Sequence, residues 1–592
     1  MHKQHEKNNQ LLLPAIIAAG FIPLIMHAFY YDCGLSRFDW FPDTTSRMSD
    51  YFLGWKMVAI MITGIVMGLI LAVKYYRKPN KIVLNNAFYA LLVYALFVAM
   101  SALFSKYKHW VGMGSHAVFE SVWVLFAYLI FCVYTYVNVN NEKQVYTLLK
   151  GIGIGAFIVL LIGAFQFLGL DFFNTTFGRM LVTNPDTWAN KAAFHINVPE
   201  HTVYTTLYNQ NYLSFYSGLA IPVILGLLFA VGKRSLRIIL IILEILAVMC
   251  LIGAQSASGW IALCAAFIIC GFVLLSRRKR TLLAGAVTGI LLLVIGLILC
   301  FVTPLGEKVS AVFFGTSDFP SLKGIDTTGE CIRMDINGHT LLVVYSYDEA
   351  SGQVAVETMD ENNTPLPTKA EDATTVTLTD PEYLNCRVAL VMYDEKLAVQ
   401  ISLEDHDWLF LQKDSGQYVL INQAGKEEVY QSPKFSTLFK NDAFSGRGHI
   451  WDGIIPILPK YLFVGSGANT FLFAYPQNDY IYRAYLNTQN VLDVKPHNMY
   501  LQQWIENGMI AMLSFLIFCF WYIISGIKIY RRVDLSGSLA RIGFGIFTGV
   551  ICYLIVGLVN DSNVCTSPVF WIMIGLGMAI NRMLQSGINT QK

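Results

Sequence analysis

One histidine stands out in the sequence because it lies immediately before a membrane-length apolar segment, in DVKPHNMYLQQWIENGMIAMLSF. Pro496 suits the first position of a helix and Asn507-Gly508 suits a helix end, so the pattern predicts a helix over 496–507. The positive end of the helix dipole would keep His497, in the first turn, neutral. A neutral imidazole can serve as a general base. The alternative is a histidine that only caps the structure at the membrane interface.

An arginine in the same polar region is the second candidate. The stretch SGRGHIW places Arg447 between two glycines and close to Trp451. A guanidinium group binds phosphate oxygens through two parallel hydrogen bonds, and neighbouring glycines allow the backbone to approach a ligand closely. The spacing therefore indicates a phosphate contact. The alternative is an ion pair between Arg447 and a carboxylate of the same region. Lys191, in a second polar segment, is a weaker candidate cation.

The elements that must position these residues are membrane helices. Of the 592 residues 55% are hydrophobic and only 14% are charged, which is far more apolar than a soluble protein of this size. Apolar runs long enough to cross a bilayer recur along the whole chain. The pattern predicts an all-α polytopic membrane protein of about 12 transmembrane helices. The predicted spans are 11–30, 51–73, 84–104, 116–137, 149–170, 210–232, 238–254, 259–276, 282–303, 509–529, 542–560 and 567–584.

The basic residues of the short loops predict the orientation of these helices. Clusters of lysine and arginine occur at 74–81, 233–237, 277–280 and 528–541, and all four fall on one side of the membrane if the spans alternate. Loops rich in lysine and arginine stay in the cytoplasm. We therefore expect both termini in the cytoplasm. The first apolar run lacks a small-residue cleavage pattern, so we expect it to remain as a helix.

Residues 304–508 separate nine predicted helices, in 1–303, from the last three, in 509–592, and this segment is expected outside the cytoplasm. Its first part, 316–440, carries 21 Asp and Glu against 9 Lys and Arg, and alternating apolar residues around EASG and DSG predict β-hairpins. We expect a small β-rich inserted domain here, in which Cys331 and Cys386 could pair. The second part, 441–508, carries the two candidate residues.

Sequence motifs for nucleotide binding or for a serine nucleophile do not occur in the chain. An enzyme without a nucleotide site must use a substrate that is already activated. The histidines, cysteines and carboxylates show no spacing typical of a metal site, so we expect neither a metal ion nor another cofactor. Nucleic acid is not an expected partner.

Three motifs resemble those of the O-antigen ligase and O-antigen polymerase family of bacterial surface polysaccharides. They are TLYNQNYLSFYSGLAIP at the start of the sixth span, GRGHIWDGIIPILPKYLFVGSGANTF, and HNMYLQQWIENGMIAMLSF, of which the last is the most specific. The motifs cover roughly 206–303 and 441–530, and the similarity in topology extends over the chain. Family members often carry a further arginine near the turn before the eighth span, where this chain has Ala257 and Ser258. The β-rich insertion is also not a standard feature of the family.

The resemblance implies a GT-C-type glycosyltransferase in the bacterial cytoplasmic membrane. Its donor would be a glycan on undecaprenyl diphosphate, and its acceptor another glycan or a surface polymer. His497 and Arg447 would be the catalytic residues. Substrate contacts are expected from Trp451, Asn498, Tyr500, Asn211 and Lys191.

A ligase and a polymerase would share this chemistry and differ in the acceptor, and the predicted layout favours the ligase. A flippase for lipid-linked sugars is the alternative from another class, although the spans contain few charges and no clear repeat.

Overall fold

Long apolar helices make up most of the structure, a computed structural model that describes residues 10–43, 45–77, 85–188, 194–199, 201–276, 314–317, 319–348 and 353–590. Within these residues, nine helices are long and apolar enough to cross a membrane. Large apolar side chains on their outer faces, such as Ile65 and Leu69, are exposed, as expected for surfaces that face lipid. The protein is therefore a polytopic membrane protein.

Each of the nine long helices lies where the sequence predicts a span. The predicted spans 11–30 and 116–137 contain shorter helices instead. The helix in the span 11–30 ends in a tight turn at Pro23. In the span 116–137 the backbone of Ala117 and Phe119 is left-handed, so the helix begins only after Ser121. The span predicted at 282–303 lies outside the described residues, so a total of about 12 stays a prediction. In chain order the described helices of 9 residues or more are α1 (Leu13–Leu24), α2 (Gly54–Arg77), α3 (Ala87–Phe104), α4 (Val122–Asn138), α5 (Glu142–Phe167), α6 (Gln210–Ala230), α7 (Arg234–Gly253), α8 (Ala257–Leu275), α9 (Met499–Asn507, between the predicted spans), α10 (Met509–Tyr530), α11 (Ser538–Val556) and α12 (Ser567–Thr590).

The two ends of the helix bundle differ in chemistry. At the cationic end, Lys74 of α2 donates a hydrogen bond to Asn138 at the end of α4 (2.9 Å), and Arg541 of α11 donates to the carbonyl of Phe229 at the end of α6 (2.6 Å). The opposite end, here called the loop end, carries the inserted region and is formed by the described residues of six connections, 25–53, 105–121, 168–209, 254–256, 441–508 and 557–566. The predicted site residues that the structure describes all lie at the loop end or in its flanking helical turns.

The inserted region consists of two antiparallel sheets in which each strand pairs with its neighbours in sequence. The strands on either side of EASG and of DSG pair as the predicted hairpins, and residues 387–403 form a further hairpin. The four-stranded sheet contains β3 (Leu322–Asp326), β4 (Ile332–Ile336), β5 (His339–Asp348) and β6 (Gln353–Met359). The seven-stranded sheet contains β7 (Thr368–Ala370), β8 (Thr375–Leu378), β9 (Arg387–Tyr393), β10 (Lys396–Leu403), β11 (His406–Gln412), β12 (Tyr418–Ile421) and β13 (Glu427–Glu428). A separate hairpin, β1 (Phe29–Asp32) and β2 (Arg47–Asp50), follows α1.

The inserted sheets are attached to the rest of the loop end by apolar and polar contacts. The apolar core between the sheets also contains Tyr480 and Ile481, which belong to the short helix Tyr480–Tyr485 within 441–508. In addition, Lys426 donates to the carbonyl of Phe38 at 3.0 Å. The core of the inserted region is thus wider than the predicted range 316–440. Cys331 and Cys386, which could have paired, are both free thiols.

Candidate functional site

His497 does not lie in a helix, and the prediction that placed it in the first helical turn is wrong. Helix α9 begins at Met499, and the side chain of Asn498 caps it by accepting hydrogen bonds from the backbone N–H groups of Tyr500 (2.9 Å) and Leu501 (3.0 Å). The backbone of His497 is left-handed, with φ of 51°, so the helix cannot continue backwards through this residue.

A buried carboxylate, rather than the helix dipole, orients the imidazole. Nδ1 of His497 lies 3.2 Å from Oδ2 of Asp561, and the histidine side chain is 40% exposed while the aspartate is 2% exposed. The other oxygen of Asp561 accepts from the backbone N–H of Asn498 at 3.2 Å. When Nδ1–H donates to a carboxylate, Nε2 carries the free lone pair and can accept a proton. The pair therefore has the arrangement of an oriented general base with one face open to solvent.

Arg447 lies beside this pair. Its Nη1 donates to the carbonyl of Phe444 (2.8 Å) and its Nη2 approaches Oδ1 of Asn560 (3.4 Å), the residue that precedes Asp561. Its Nε is buried and has no hydrogen-bond partner among the described residues. Burial lowers the pKa of Arg447, and Asp561 acts against that shift. The guanidinium group thus retains donors for an anionic ligand.

Asn560 connects Arg447 to the sixth and eighth predicted spans. Its Nδ2 donates to Oγ of Ser258 at the start of α8 (3.2 Å), and Ser258 is 2.8 Å from the hydroxyl of Ser256. Ser256 in turn donates to Oδ1 of Asn211 in the first turn of α6 (3.2 Å). One line of polar side chains therefore joins the first two sequence motifs at the loop end. The third motif reaches this line through His497, which bonds Asp561, the residue after Asn560.

Three other predicted contact residues use their side-chain donors in hydrogen bonds within the protein, and these bonds support the site. Trp451 Nε1 donates to the carbonyl of Pro496 at 2.8 Å and so fixes the backbone immediately before His497. The hydroxyl of Tyr500 donates to the carbonyl of Leu554 at 2.7 Å. The side chain of Asn498, besides capping α9, donates to the carbonyl of Leu558 at 2.7 Å. Lys191 lies outside the described residues.

Four residues of the site were not predicted from the sequence. Asn560 and Asp561 belong to the polar run NDSN between two apolar helices, a signal that was available. Lys495 precedes His497 by two residues and is buried. Glu120 is buried beside them, accepting hydrogen bonds from Ser562 (2.7 Å) and Gln502 (3.1 Å), and burial raises its pKa to about 7. A lone glutamate before an apolar run carries no such signal, because its partners are distant in sequence.

Within the described residues, no three histidine, cysteine, aspartate or glutamate side chains lie together in a way that could hold a metal ion. No protein-family model matches the chain, and no curated protein matches it. The arrangement of His497, Asp561 and Arg447 is therefore the observation from which a function has to be inferred.

Proposed function

We propose that the protein transfers a glycan from undecaprenyl diphosphate to a hydroxyl group of an acceptor, at the outer face of the bacterial cytoplasmic membrane. One observation carries the proposal. A solvent-facing histidine paired with a buried carboxylate stands next to a guanidinium group with unfilled donors, because His497 bonds Asp561 and Arg447 approaches Asn560. The site lies where a bundle of membrane helices ends. An acid–base group and a phosphate-binding group at that level suit a substrate that is a lipid diphosphate.

The proposed reaction assigns a separate task to each residue. Nε2 of His497 accepts the proton of the acceptor hydroxyl while its oxygen forms a bond to the anomeric carbon of the donor. The bond from that carbon to the diphosphate oxygen breaks, and undecaprenyl diphosphate leaves with the electron pair. Arg447 donates hydrogen bonds to the departing diphosphate. Asp561 stabilises the imidazolium ion, which afterwards releases its proton to water. The activated donor supplies the free energy, so the reaction needs no nucleotide.

The distribution of charge supports the proposed orientation. Basic side chains such as Lys74, Arg541 and Arg582 lie at the end of the bundle opposite the site. The positive-inside rule favours a cytoplasmic position for this cationic end, and it therefore supports the proposal that the loop end is outside and both termini are inside. A donor that has been moved to the outer leaflet would then meet the site directly.

A ligase and a polymerase differ only in the acceptor, and we propose the ligase. A ligase moves a finished glycan to a lipid or surface polymer, whereas a polymerase adds it to another lipid-linked glycan. Profiling the lipid-linked intermediates of a deletion strain distinguishes them. Full-length polymer that remains on undecaprenyl diphosphate indicates loss of a ligase, and short units indicate loss of a polymerase.

The decisive test of the mechanism is the pair of variants His497→Ala and Arg447→Lys, assayed as purified protein with lipid-linked glycan. We expect His497→Ala to lower the rate of transfer by about 10²–10⁴-fold, the usual contribution of a positioned base, while donor binding persists. Arg447→Lys should instead weaken donor binding by about tenfold or more, because an ammonium group cannot reproduce the guanidinium fork.

The chain provides a matched control for the histidine. His339 in β5 also pairs with a carboxylate, Glu382, at 3.1 Å, and its side chain is 44% exposed, close to the value for His497. His339→Ala should transfer glycan at the wild-type rate. Full turnover by His497→Ala would return His497 to a structural role and remove the proposed mechanism.

A further inference from the structure

Among the residues that the structure describes, two lysines are buried at the loop end, and they differ in their partners. Lys56, at the start of α2, donates three hydrogen bonds, to the carbonyls of Ile25 (2.7 Å), Phe52 (2.6 Å) and Thr206 (2.7 Å). These bonds use all three N–H donors of an ammonium group. Lys56 is therefore satisfied by the protein itself and holds three segments of backbone together.

Lys495 is not satisfied in this way. It is 7% exposed, and among the described residues its Nζ donates to one oxygen, the hydroxyl of Tyr212. The rings of Tyr208 and Tyr212 lie 5.4 and 5.0 Å from the ammonium group. No carboxylate of the described residues lies within 4 Å of Nζ. A buried ammonium group with two unfilled donors is costly unless a ligand completes it.

Burial lowers the pKa of Lys495, and nearby carboxylates, among them Asp561 and Asp50, act against that shift. Asp561 is the carboxylate that acts most strongly on Lys495, and it also acts on Arg447 and bonds His497. Asp561 thus acts on both Lys495 and Arg447, and burial lowers the pKa of each of these two side chains. Glu120 adds little negative charge, because burial raises its pKa to about 7 and it is only partly ionised at neutral pH. A bound anion would offset the effect of burial on Lys495 and Arg447 and favour their charged forms.

We infer that Lys495 and Arg447 together bind the diphosphate group of a polyprenyl diphosphate, with one phosphate contacting each cation. Arg447 has an unpaired buried Nε, Lys495 has one hydrogen-bond partner, and Asp561 acts on both. Ser258, at the start of α8, supplies only a hydroxyl group that already bonds Asn560. Two phosphates joined by one oxygen match two cations better than a single phosphate does. This inference rests on the proposed function for the lipid part of the ligand, but not for its diphosphate.

Binding of farnesyl diphosphate to the purified full-length protein tests the inference without any transfer reaction. We expect Lys495→Met to weaken this binding by about 10- to 100-fold, the usual effect of removing a charged hydrogen bond, and Lys495→Arg to retain most of it. Inorganic pyrophosphate should compete for the same site and depend equally on Lys495. Farnesol, which lacks phosphate, should show no such dependence. If the binding of farnesyl diphosphate depends on Lys495 and inorganic pyrophosphate does not bind, the inference stands and the lipid chain is required for a ligand to occupy the site.

Two further variants separate ligand binding from a structural role. Tyr212→Phe removes the one hydrogen-bond partner of Lys495 and should retain binding, whereas loss equal to that of Lys495→Met would show a structural tether and overturn the inference. Lys56→Met removes the satisfied lysine. It should lower thermal stability while the folded protein binds farnesyl diphosphate normally.

The inference and the proposed function can fail separately. Wild-type affinity in Lys495→Met overturns the inference even if the protein transfers glycan. A protein that binds farnesyl diphosphate through Lys495 but transfers no glycan would keep the diphosphate site and lose the proposed function.

Discussion

At the scale of single residues, Asp561 is the carboxylate that orients the imidazole of His497. The sequence identified the histidine but not the aspartate, because the two are far apart in the chain and only the fold brings Nδ1 within 3.2 Å of the carboxylate. A helix dipole acts weakly and fades beyond the first turn, whereas a buried carboxylate acts at contact distance. The role of His497 as a general base stays a prediction, and its physical basis would be the carboxylate of Asp561 instead of the helix dipole.

Asp561→Asn tests that basis. The amide has nearly the size of the carboxylate but cannot stabilise an imidazolium ion, so we expect the rate constant for transfer to fall by about 10²–10⁴-fold with little change in donor binding. The measurement is kcat and KM with lipid-linked glycan, alongside a melting curve. Asp380→Asn, at an exposed turn of the inserted domain, is the control. A wild-type rate in Asp561→Asn would show that the carboxylate does not act through His497.

At the scale of elements, local sequence signals predicted helix ends and hairpins well, whereas the contacts between distant segments were not predicted. Asn507-Gly508 ends α9 as predicted, with Gly508 at φ of 91°, and the strands on either side of DSG form the predicted hairpin. The start of α9 was predicted too early because the side chain of Asn498 competes with Pro496 as the starting signal. The contacts of Asn560 with Arg447 and Ser258 join segments with more than a hundred residues between them, and no local pattern encodes them.

Helix α9 also carries a buried acid, Glu506, and its ionisation is expected to make the stability of the folded protein depend on pH. Glu506 is 2% exposed, and burial raises its pKa from 4.5 to about 8. The folded protein therefore binds a proton that the unfolded chain releases near pH 4.5. The stabilisation from this group is complete below pH 4.5 and is lost as the pH rises to about 8. Glu120 acts in the same direction, with a pKa of about 7.

We therefore expect the melting temperature of the purified protein to fall as the pH rises through this range, and Glu506→Gln to reduce the fall. At alkaline pH the variant should be more stable than the wild type, because the amide cannot ionise. Glu382→Gln, an exposed residue of the inserted domain, should follow the wild-type curve. Identical pH profiles for Glu506→Gln and the wild type would contradict the assignment.

At the scale of the whole molecule, the inserted β domain is joined to the membrane part both at its chain ends and through its apolar core. Its two chain ends meet at Asp442, which accepts hydrogen bonds from the N–H groups of Thr316 (2.9 Å) and Ser317 (3.0 Å). This closeness suits excision of the domain. Its apolar core, however, includes Tyr480 and Ile481 of the segment that carries the site, so excision would expose them.

Replacing 319–438 by a short Gly-Ser linker should therefore give a protein that inserts in the membrane but self-associates in detergent. Adding Tyr480→Ser and Ile481→Ser should restore a single species in size-exclusion chromatography, because the exposed patch is then polar. We expect transfer activity to fall less than in His497→Ala. If the repaired deletion cannot be purified, the domain is part of the folding core of the membrane protein.

The orientation of the whole molecule is testable with two serines that are both exposed in turns. Ser415 lies between β11 and β12 on the loop end, and Ser536 lies between α10 and α11 on the cationic end. The native cysteines are replaced first, because Cys264 is exposed. A membrane-impermeant maleimide should label Ser415→Cys in intact cells with a permeabilised outer envelope, and Ser536→Cys only after the cytoplasmic membrane is opened. The physical reason is that lysine and arginine in short loops resist translocation. The reverse pattern would place His497 and Arg447 in the cytoplasm, where the acceptor would have to be an intracellular molecule and the proposed surface chemistry would be lost.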